Sequence, residues 1–161
     1  MKSSLAAVAA LTLIVFAAPA SAQPAAPPPD DVAQLSACVV AAGDEEPQAI
    51  KACERPILAQ CSGDYALCYD RLLAGWDGVL NDSFRQLTRG GVLQRADARR
   101  LQDAQRGWIR YRDADCKFYA GVWPGTKPPY QYAACIHRHT RERAAIVTLR
   151  LQAARALATQ R

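Results

Sequence analysis

Apolar residues recur every three or four positions through most of the chain, which is the period of an amphipathic α-helix. One long pattern predicts a helix over about 65–89, with the stripe Leu72, Leu73, Trp76, Leu80, Phe84 and Leu87. Another, over about 94–119, has Leu101, Ala104, Trp108, Tyr111 and Phe118, and the last, over about 131–158, has Ile136, Thr140, Val147, Leu151 and Ala154. No stretch alternates as half-buried strands do, so the pattern predicts an all-α fold.

Two shorter helices are predicted before these three. The first runs to about Ala42, is capped by Asp30 or Asp31 and ends at Gly43. The second begins with Pro47 in its first turn and continues to about Leu58, and Pro56 is expected to kink it. The sequence therefore predicts a small bundle of about five helices, with residues 31–60 as an N-terminal helical hairpin and residues 61–158 as the main helical domain.

The first 22 residues have the pattern of a secretory signal peptide. Lys2 precedes an apolar run, and Ala20, Ser21 and Ala22 form a small-residue cleavage site. Residues 23–30 are rich in proline and are expected to form a linker. We therefore expect export to the periplasm, cleavage near Ala22 and no transmembrane segment in the mature form.

Six cysteines in an exported chain predict three disulfides. Cys116 and Cys135 flank a loop between two helices, and Cys38 and Cys53 lie symmetrically about the turn of the hairpin, so these pairs are preferred. Cys61 with Cys68 is then feasible across a short turn. The competing set joins Cys38 to Cys61 and Cys53 to Cys68. Because no close cysteine pair with nearby histidines occurs, no metal site is expected.

The stretch 105–116, QRGWIRYRDADC, is the centre of the predicted fold. Trp108 and Tyr111 lie three residues apart and are expected to bury their rings on one face. Arg143 on the last helix is expected to pair with Asp113 or Asp115 while Thr140 forms a hydrogen bond nearby. A structural role is favoured here over a binding epitope.

Other polar residues give no catalytic signature. Asp77 and Asn81 lie one helical turn apart and are expected to join helices through hydrogen bonds. His137 and His139 are two apart, so they do not form the i, i+4 ligand pair of a zinc helix, and both are expected to be exposed. Neither an enzyme nor a cofactor is predicted.

The net charge of +5 is modest, and nucleic acid is not expected as a partner. The predicted basic face could nevertheless bind anionic polymers of a bacterial envelope. It consists of Arg95, Arg99, Arg106, Arg110, Arg138, Arg141 and Arg150.

Residues 121–129, GVWPGTKPP, predict a loop between the last two long helices. Trp123, Pro124 and Gly125 form a candidate binding loop, since a disulfide across its base would reduce the entropy lost on binding. The alternative is that Trp123 folds back over the helices as a lid.

Three motifs together resemble the N-terminal domain of the lysozyme inhibitor LprI family. They are Cys68 with Trp76, Asp77, Leu80 and Asn81; Gln105, Trp108, Tyr111, Arg112, Asp113 and Cys116; and Cys135, Thr140 and Arg143. The resemblance runs from about Cys61 to Val147. It implies a small, secreted, non-catalytic helical protein whose partner is a lysozyme-type glycosidase or another envelope protein. The alternative function is a structural or scaffold module that binds anionic polymers or a protein partner of the envelope.

Overall fold

A computed structural model describes residues 28–43, 46–61, 65–122 and 128–160, and all structural statements below concern these residues. They form six helices: α1 (Pro29–Ala42), α2 (Pro47–Ala52), α3 (Arg55–Ala59), α4 (Tyr65–Arg89), α5 (Arg95–Val122) and α6 (Pro128–Thr159). No strand occurs in the described ranges. The prediction of an all-α, disulfide-stapled bundle is confirmed.

The three long helices form the body of the bundle, and the interface of α4 with α6 is the most extensive. These two helices run parallel, since Tyr69 contacts His137 while Ser83 and Thr148 share a buried 2.9 Å hydrogen bond. Helix α5 runs antiparallel to both. The core between them is apolar, and its largest fully buried side chains include Trp76, Leu72, Val79 and Val147.

Helix α1 packs on α4 and α6 through Leu35 and Val39, both fully buried. Gly75 on α4 allows this approach, because a Cβ at residue 75 would lie 2.9 Å from Leu35 Cδ1. At its C-terminus α1 ends on Gly43, whose φ of 72° is the left-handed conformation that glycine adopts easily.

The predicted aspartate cap of α1 is wrong. Pro28 occupies the N-cap position and Pro29 the first turn, and no side chain caps the helix. Asp31 instead lies within the first turn, is nearly fully buried, and accepts two hydrogen bonds from Arg71 of α4, at 2.6 and 2.7 Å. A two-pronged guanidinium contact satisfies a buried carboxylate better than a cap, which uses one oxygen. Asp31 therefore joins α1 to α4.

The predicted second helix divides into α2 and α3 at Cys53 and Glu54. Pro56 lies in the first turn of α3, where its missing N–H is not needed. A continuous helix would need that N–H to bond to residue 52, so the chain turns before the proline. The turn places Glu54 inside the bundle.

Three disulfides join Cys38 to Cys53, Cys61 to Cys68, and Cys116 to Cys135, which is the set preferred from spacing. The first connects α1 to the end of α2, the second connects the segment after α3 to α4, and the third connects α5 to α6. Their Cα–Cα distances are 5.7, 5.9 and 5.4 Å, in the usual range for disulfides.

None of the described helices is both long and apolar enough to cross a membrane. The predicted signal peptide and residues 23–27 of the predicted linker lie outside the described residues. The end of the linker prediction is wrong, because Pro29 and Asp30 belong to the first turn of α1. The division into a hairpin and a main domain stays a prediction.

We predict that Gly75→Ala loosens the packing of α1 on α4. The control is Gly107→Ala in α5, where the added Cβ meets nothing closer than 4.0 Å. Both changes gain about 0.5–1 kcal/mol of helix propensity, so their difference isolates the clash with Leu35. Chemical denaturation should show Gly75→Ala less stable than Gly107→Ala by about 1–3 kcal/mol. Equal stability would contradict the close approach.

Candidate functional site

Helices α5 and α6 meet along a polar seam that contains most of the predicted motif. Arg112 Nη1 donates to Thr140 Oγ1 (3.3 Å), Arg143 Nε donates to Gln105 Oε1 (3.0 Å), and His139 Nε2 lies 2.9 Å from Asp115 Oδ2. Later residues of α5 contact earlier residues of α6, as expected for antiparallel helices. The Cys116–Cys135 disulfide lies in the same register.

That register explains why the predicted pairing of Arg143 is wrong. Arg143 lies opposite Gln105, about two turns of α5 before Asp113, so it reaches neither Asp113 nor Asp115. Asp113 instead accepts from its neighbour Arg112, at 2.9 Å and 3.0 Å, and Asp115 holds His139. The polar contacts between α5 and α6 are therefore present, but they join different residues from those predicted.

The ring of Trp108 lies close to two guanidinium groups. The Arg112 carbon Cζ is 5.0 Å from the ring centre and that of Arg143 is 5.8 Å away, which is within the range of cation–π attraction. Burial, with a smaller contribution from nearby Arg150, lowers the pKa of Arg143 below its ordinary value. The tryptophan ring and Gln105 therefore replace the carboxylate that a half-buried arginine would otherwise need.

Two aromatics predicted for the buried face of α5 are exposed: Tyr111 at 59% and Phe118 at 70%. The face turned inward follows a different set of i, i+3 and i, i+4 positions, namely Ala98, Leu101, Gln105, Trp108, Arg112 and Cys116. Arg112 takes the inward position because it reaches Thr140, and Tyr111 is turned outward. Tyr111, Phe118 and Val122 then share the outer side of α5 by their spacing. We call these three residues the α5 stripe.

On α4, Asp77 and Asn81 do not join helices as predicted. Both are exposed, and Asn81 Nδ2 donates to Asp77 Oδ2 at 2.9 Å along one helix face. They line an open cleft of about 1320 Å³, together with Asp70, Asp82 and, from α5, Arg112. Leu80, by contrast, is in the core. The motif thus supplies both core and cleft residues.

A buried polar cluster lies where the turn between α2 and α3 meets α4 and α6. Glu54 Oε1 accepts from Trp76 Nε1 at 2.9 Å and from Arg141 Nη1 at 3.3 Å, and His137 Nε2 lies 3.0 Å away. The contact with His137 has ion-pair distance without good hydrogen-bond geometry. All four side chains are at least nine-tenths buried. We call these residues the Glu54 cluster.

The cluster keeps Glu54 ionised. Burial alone would raise the pKa of this carboxyl group, but the contacts of His137, Arg141 and Trp76 outweigh burial and lower the pKa. Tyr69, whose ring packs edge-on against His137, has its pKa raised by burial and then by Tyr130 and Glu54. The negative charge of Glu54 therefore lies inside the bundle, where its contacts with Arg141 and His137 stabilise it.

The predictions for His137, His139 and Arg141 are wrong, because none of them is on an exposed face. His137 and Arg141, one turn apart on α6, both face Glu54. His139 is on another side and is bound to Asp115, with the Tyr111 ring edge-on at 5.7 Å. Glu54 itself was missed, although a charged residue between two apolar helical segments, two positions before Pro56, was a signal that could have found it.

The candidate binding loop Trp123, Pro124 and Gly125 lies outside the described residues. The helix ends beside it, up to Val122 and from Pro128, are fixed by the Cys116–Cys135 disulfide. Near that disulfide, Asp115 and His139 bring two further donor atoms to the sulfurs. This is the one group of potential metal donors found among the described residues.

We predict that Glu54→Gln destabilises the protein by about 3–5 kcal/mol, because it leaves His137 and Arg141 buried without their carboxylate. The glutamine keeps the shape of the side chain and an acceptor for Trp76. The matched control is Asp103→Asn at the exposed pair with Arg106, where the expected loss is under about 1 kcal/mol. Urea denaturation at neutral pH measures both, and a loss at Glu54 no larger than at Asp103 would contradict the cluster.

The stability difference between wild type and Glu54→Gln should depend on pH. Since folding lowers the pKa of Glu54, its contribution is fully present above the unfolded value, about 4.3, and is lost as pH falls through the folded value. The difference in unfolding free energy should therefore narrow below about pH 4. A constant difference down to strongly acidic pH would show that the charge is not what stabilises the fold.

Comparison with known proteins places this arrangement in a family. No curated protein and no solved structure gives a significant match to the chain. Residues 58–146, more than half of the chain, match the family described as lysozyme inhibitor LprI. The matched region holds all of α4 and α5, the α5–α6 seam, the Cys61–Cys68 and Cys116–Cys135 disulfides, and three members of the Glu54 cluster. The chain belongs to the lysozyme inhibitor LprI family.

Proposed function

We propose that this protein acts outside the cytoplasm, in the periplasm, as a non-catalytic inhibitor that binds a lysozyme-type glycosidase. Family membership supports the class of partner. Three disulfides among the described residues fit an oxidising compartment.

The observation that carries the proposal is the α5 stripe. Tyr111, Phe118 and Val122 are each more than half exposed, and Ile109 and Tyr119 of the same helix are 40% and 37% exposed. Large exposed apolar side chains on one side of a helix are typical of a surface that binds another protein. Aromatic residues also supply most of the binding energy in many interfaces.

The stripe is rigidly held. The Cys116–Cys135 disulfide lies between Tyr111 and Phe118 in sequence and fixes α5 to α6. Asp115 and His139 form a polar contact beside the same residues. A surface that is ordered before binding loses little entropy on association.

Charge bears on which glycosidase fits. The chain carries a net charge of +5, so long-range attraction to a basic lysozyme is not expected. Binding through the α5 stripe would depend instead on local apolar contact. Its affinity should therefore change little with salt, unlike that of an electrostatically steered complex.

The envelope scaffold that binds anionic polymers is less favoured. Two arginines on α5 are paired with aspartates three residues earlier: Arg106 of the predicted basic face with Asp103, and Arg100 with Asp97. Arg141, part of the predicted basic face, is buried against Glu54. Because these arginines are paired with carboxylates, the basic face carries less unpaired positive charge than the sequence indicated.

Catalysis is not part of the proposal. Of the three aspartates that line the cleft, Asp77 is bonded to Asn81 and Asp82 to Arg85. A glycosidase needs two carboxyl groups that face each other across the substrate. Paired aspartates along the surface of one helix do not provide that geometry.

We predict that the oxidised mature protein slows lysis of a peptidoglycan suspension by lysozyme, and that Phe118→Ala weakens this inhibition by about tenfold or more. The measurement is the decrease in turbidity against inhibitor concentration. Leu157→Ala near the end of α6 is the matched control, since Leu157 is equally apolar and 61% exposed but lies outside the family match.

Circular dichroism should show both variants folded, because neither side chain is in the core. Equal inhibition by Phe118→Ala and Leu157→Ala would exclude the α5 stripe as the contact surface. No inhibition by wild type in large molar excess would remove that lysozyme as a partner.

A further inference from the structure

Four metal-binding side chains converge at the staple between α5 and α6. Asp115 and Cys116 come from α5, and Cys135 and His139 come from α6. Their donor atoms all lie within 4.8 Å of one another. Cys135 and His139 are one turn apart on the same helix face, and His139 Nε2 already lies 2.9 Å from a carboxylate oxygen of Asp115.

This donor set suits zinc once the disulfide is open. Zinc takes four ligands from cysteine, histidine and carboxylate in a tetrahedron with bonds of about 2.0–2.3 Å, so neighbouring ligand atoms are about 3.3–3.8 Å apart. The four donor atoms lie within 4.8 Å of one another. Side-chain rotations that separate the two sulfurs and draw in the other two atoms would bring all four to that spacing. In the oxidised protein the sulfurs are bonded to each other and offer no thiolate.

We propose that reduction of the Cys116–Cys135 disulfide creates a zinc site formed by these two thiolates, His139 and Asp115. The metal then takes over the role of the covalent staple. The proposal does not rest on the inhibitor function, although the same disulfide also holds the α5 stripe.

The chemistry balances with a dithiol as the reductant. One thiolate of the dithiol attacks a sulfur of the Cys116–Cys135 bond, which forms a mixed disulfide and releases the other cysteine as a thiolate. The second thiolate of the dithiol then attacks the mixed disulfide and releases the remaining cysteine. The products are two cysteine thiols and the cyclic disulfide of the dithiol, which has given up two electrons. Zinc binding then releases the two thiol protons.

Other contacts hold the donors together after the covalent bond opens. Arg112 with Thr140 and Arg143 with Gln105 keep the α5–α6 register. The Tyr111 ring packs edge-on against His139 and limits its rotation. Cys116 and Cys135 are buried, so the two thiolates are shielded from water, which strengthens metal–thiolate bonding. Asp115 is about one third exposed and forms the open side of the site.

The Cys38–Cys53 pair provides an internal control. Its two cysteines are also buried or half-buried on neighbouring helices. The chain has only two histidines, and neither is grouped with these sulfurs. Reduction there gives two thiols without further ligands.

The test titrates Co²⁺, a spectroscopic substitute for zinc, into the fully reduced full-length protein under anaerobic conditions. The proposal expects about one equivalent to bind with tetrahedral absorption bands and a thiolate charge-transfer band. His139→Ala and the double variant Cys116→Ser, Cys135→Ser should each weaken binding by at least about tenfold, whereas Cys38→Ser with Cys53→Ser should not. The oxidised protein should show no thiolate band.

A second measurement keeps the result decisive if a variant folds poorly. Reduced wild type is alkylated with and without zinc, and each cysteine is followed by mass spectrometry. The proposal expects zinc to slow alkylation of Cys116 and Cys135 but not of Cys38 and Cys53. Absence of the thiolate band, or equal protection of all six cysteines, would overturn it.

Discussion

The fold depends on placing the carboxylate of Glu54 inside the bundle. A buried charge is tolerated only when opposite charges and hydrogen-bond donors surround it. Trp76 comes from α4, and His137 and Arg141 come from α6. A single oxygen therefore specifies how three separate parts of the chain meet. The neighbouring Asp31–Arg71 pair does the same for α1 on α4, so polar contacts determine where the N-terminal helices dock.

A second constraint is the register of α5 against α6. It determines which side chains of α5 are exposed on the surface. With Cys116 opposite Cys135, Arg112 turns inward to Thr140 and the aromatic positions beside it turn outward. The same register brings His139 to Asp115. The exposed α5 stripe and the donor group at the staple are thus two results of one alignment.

The sequence predicted the elements well because helical periodicity and glycine or proline punctuation are local signals. Helix α4 has the predicted bounds, Gly43 ends α1 as expected, and Pro56 marks the break before α3. Partners across helices were predicted less well. Tyr111 and Arg112 are adjacent, so their inward and outward positions depend on a rotation of about 100° per residue that a hydrophobic pattern does not resolve. Glu54 and His137 are 83 positions apart, and no local pattern reports that they meet.

The parallel arrangement of α4 and α6 has a consequence for how fast the chain can fold. Their contacts join residues about 65 positions apart, as Ser83 and Thr148 show. Helical bundles usually fold quickly because most contacts are between sequence neighbours, and the rate falls as contacts become more distant in sequence. Here the interface of α4 with α6, the most extensive one, joins two helices that are separated in the chain by the whole of α5. This bundle should therefore cross a higher entropic barrier than an up-and-down bundle of equal helix content.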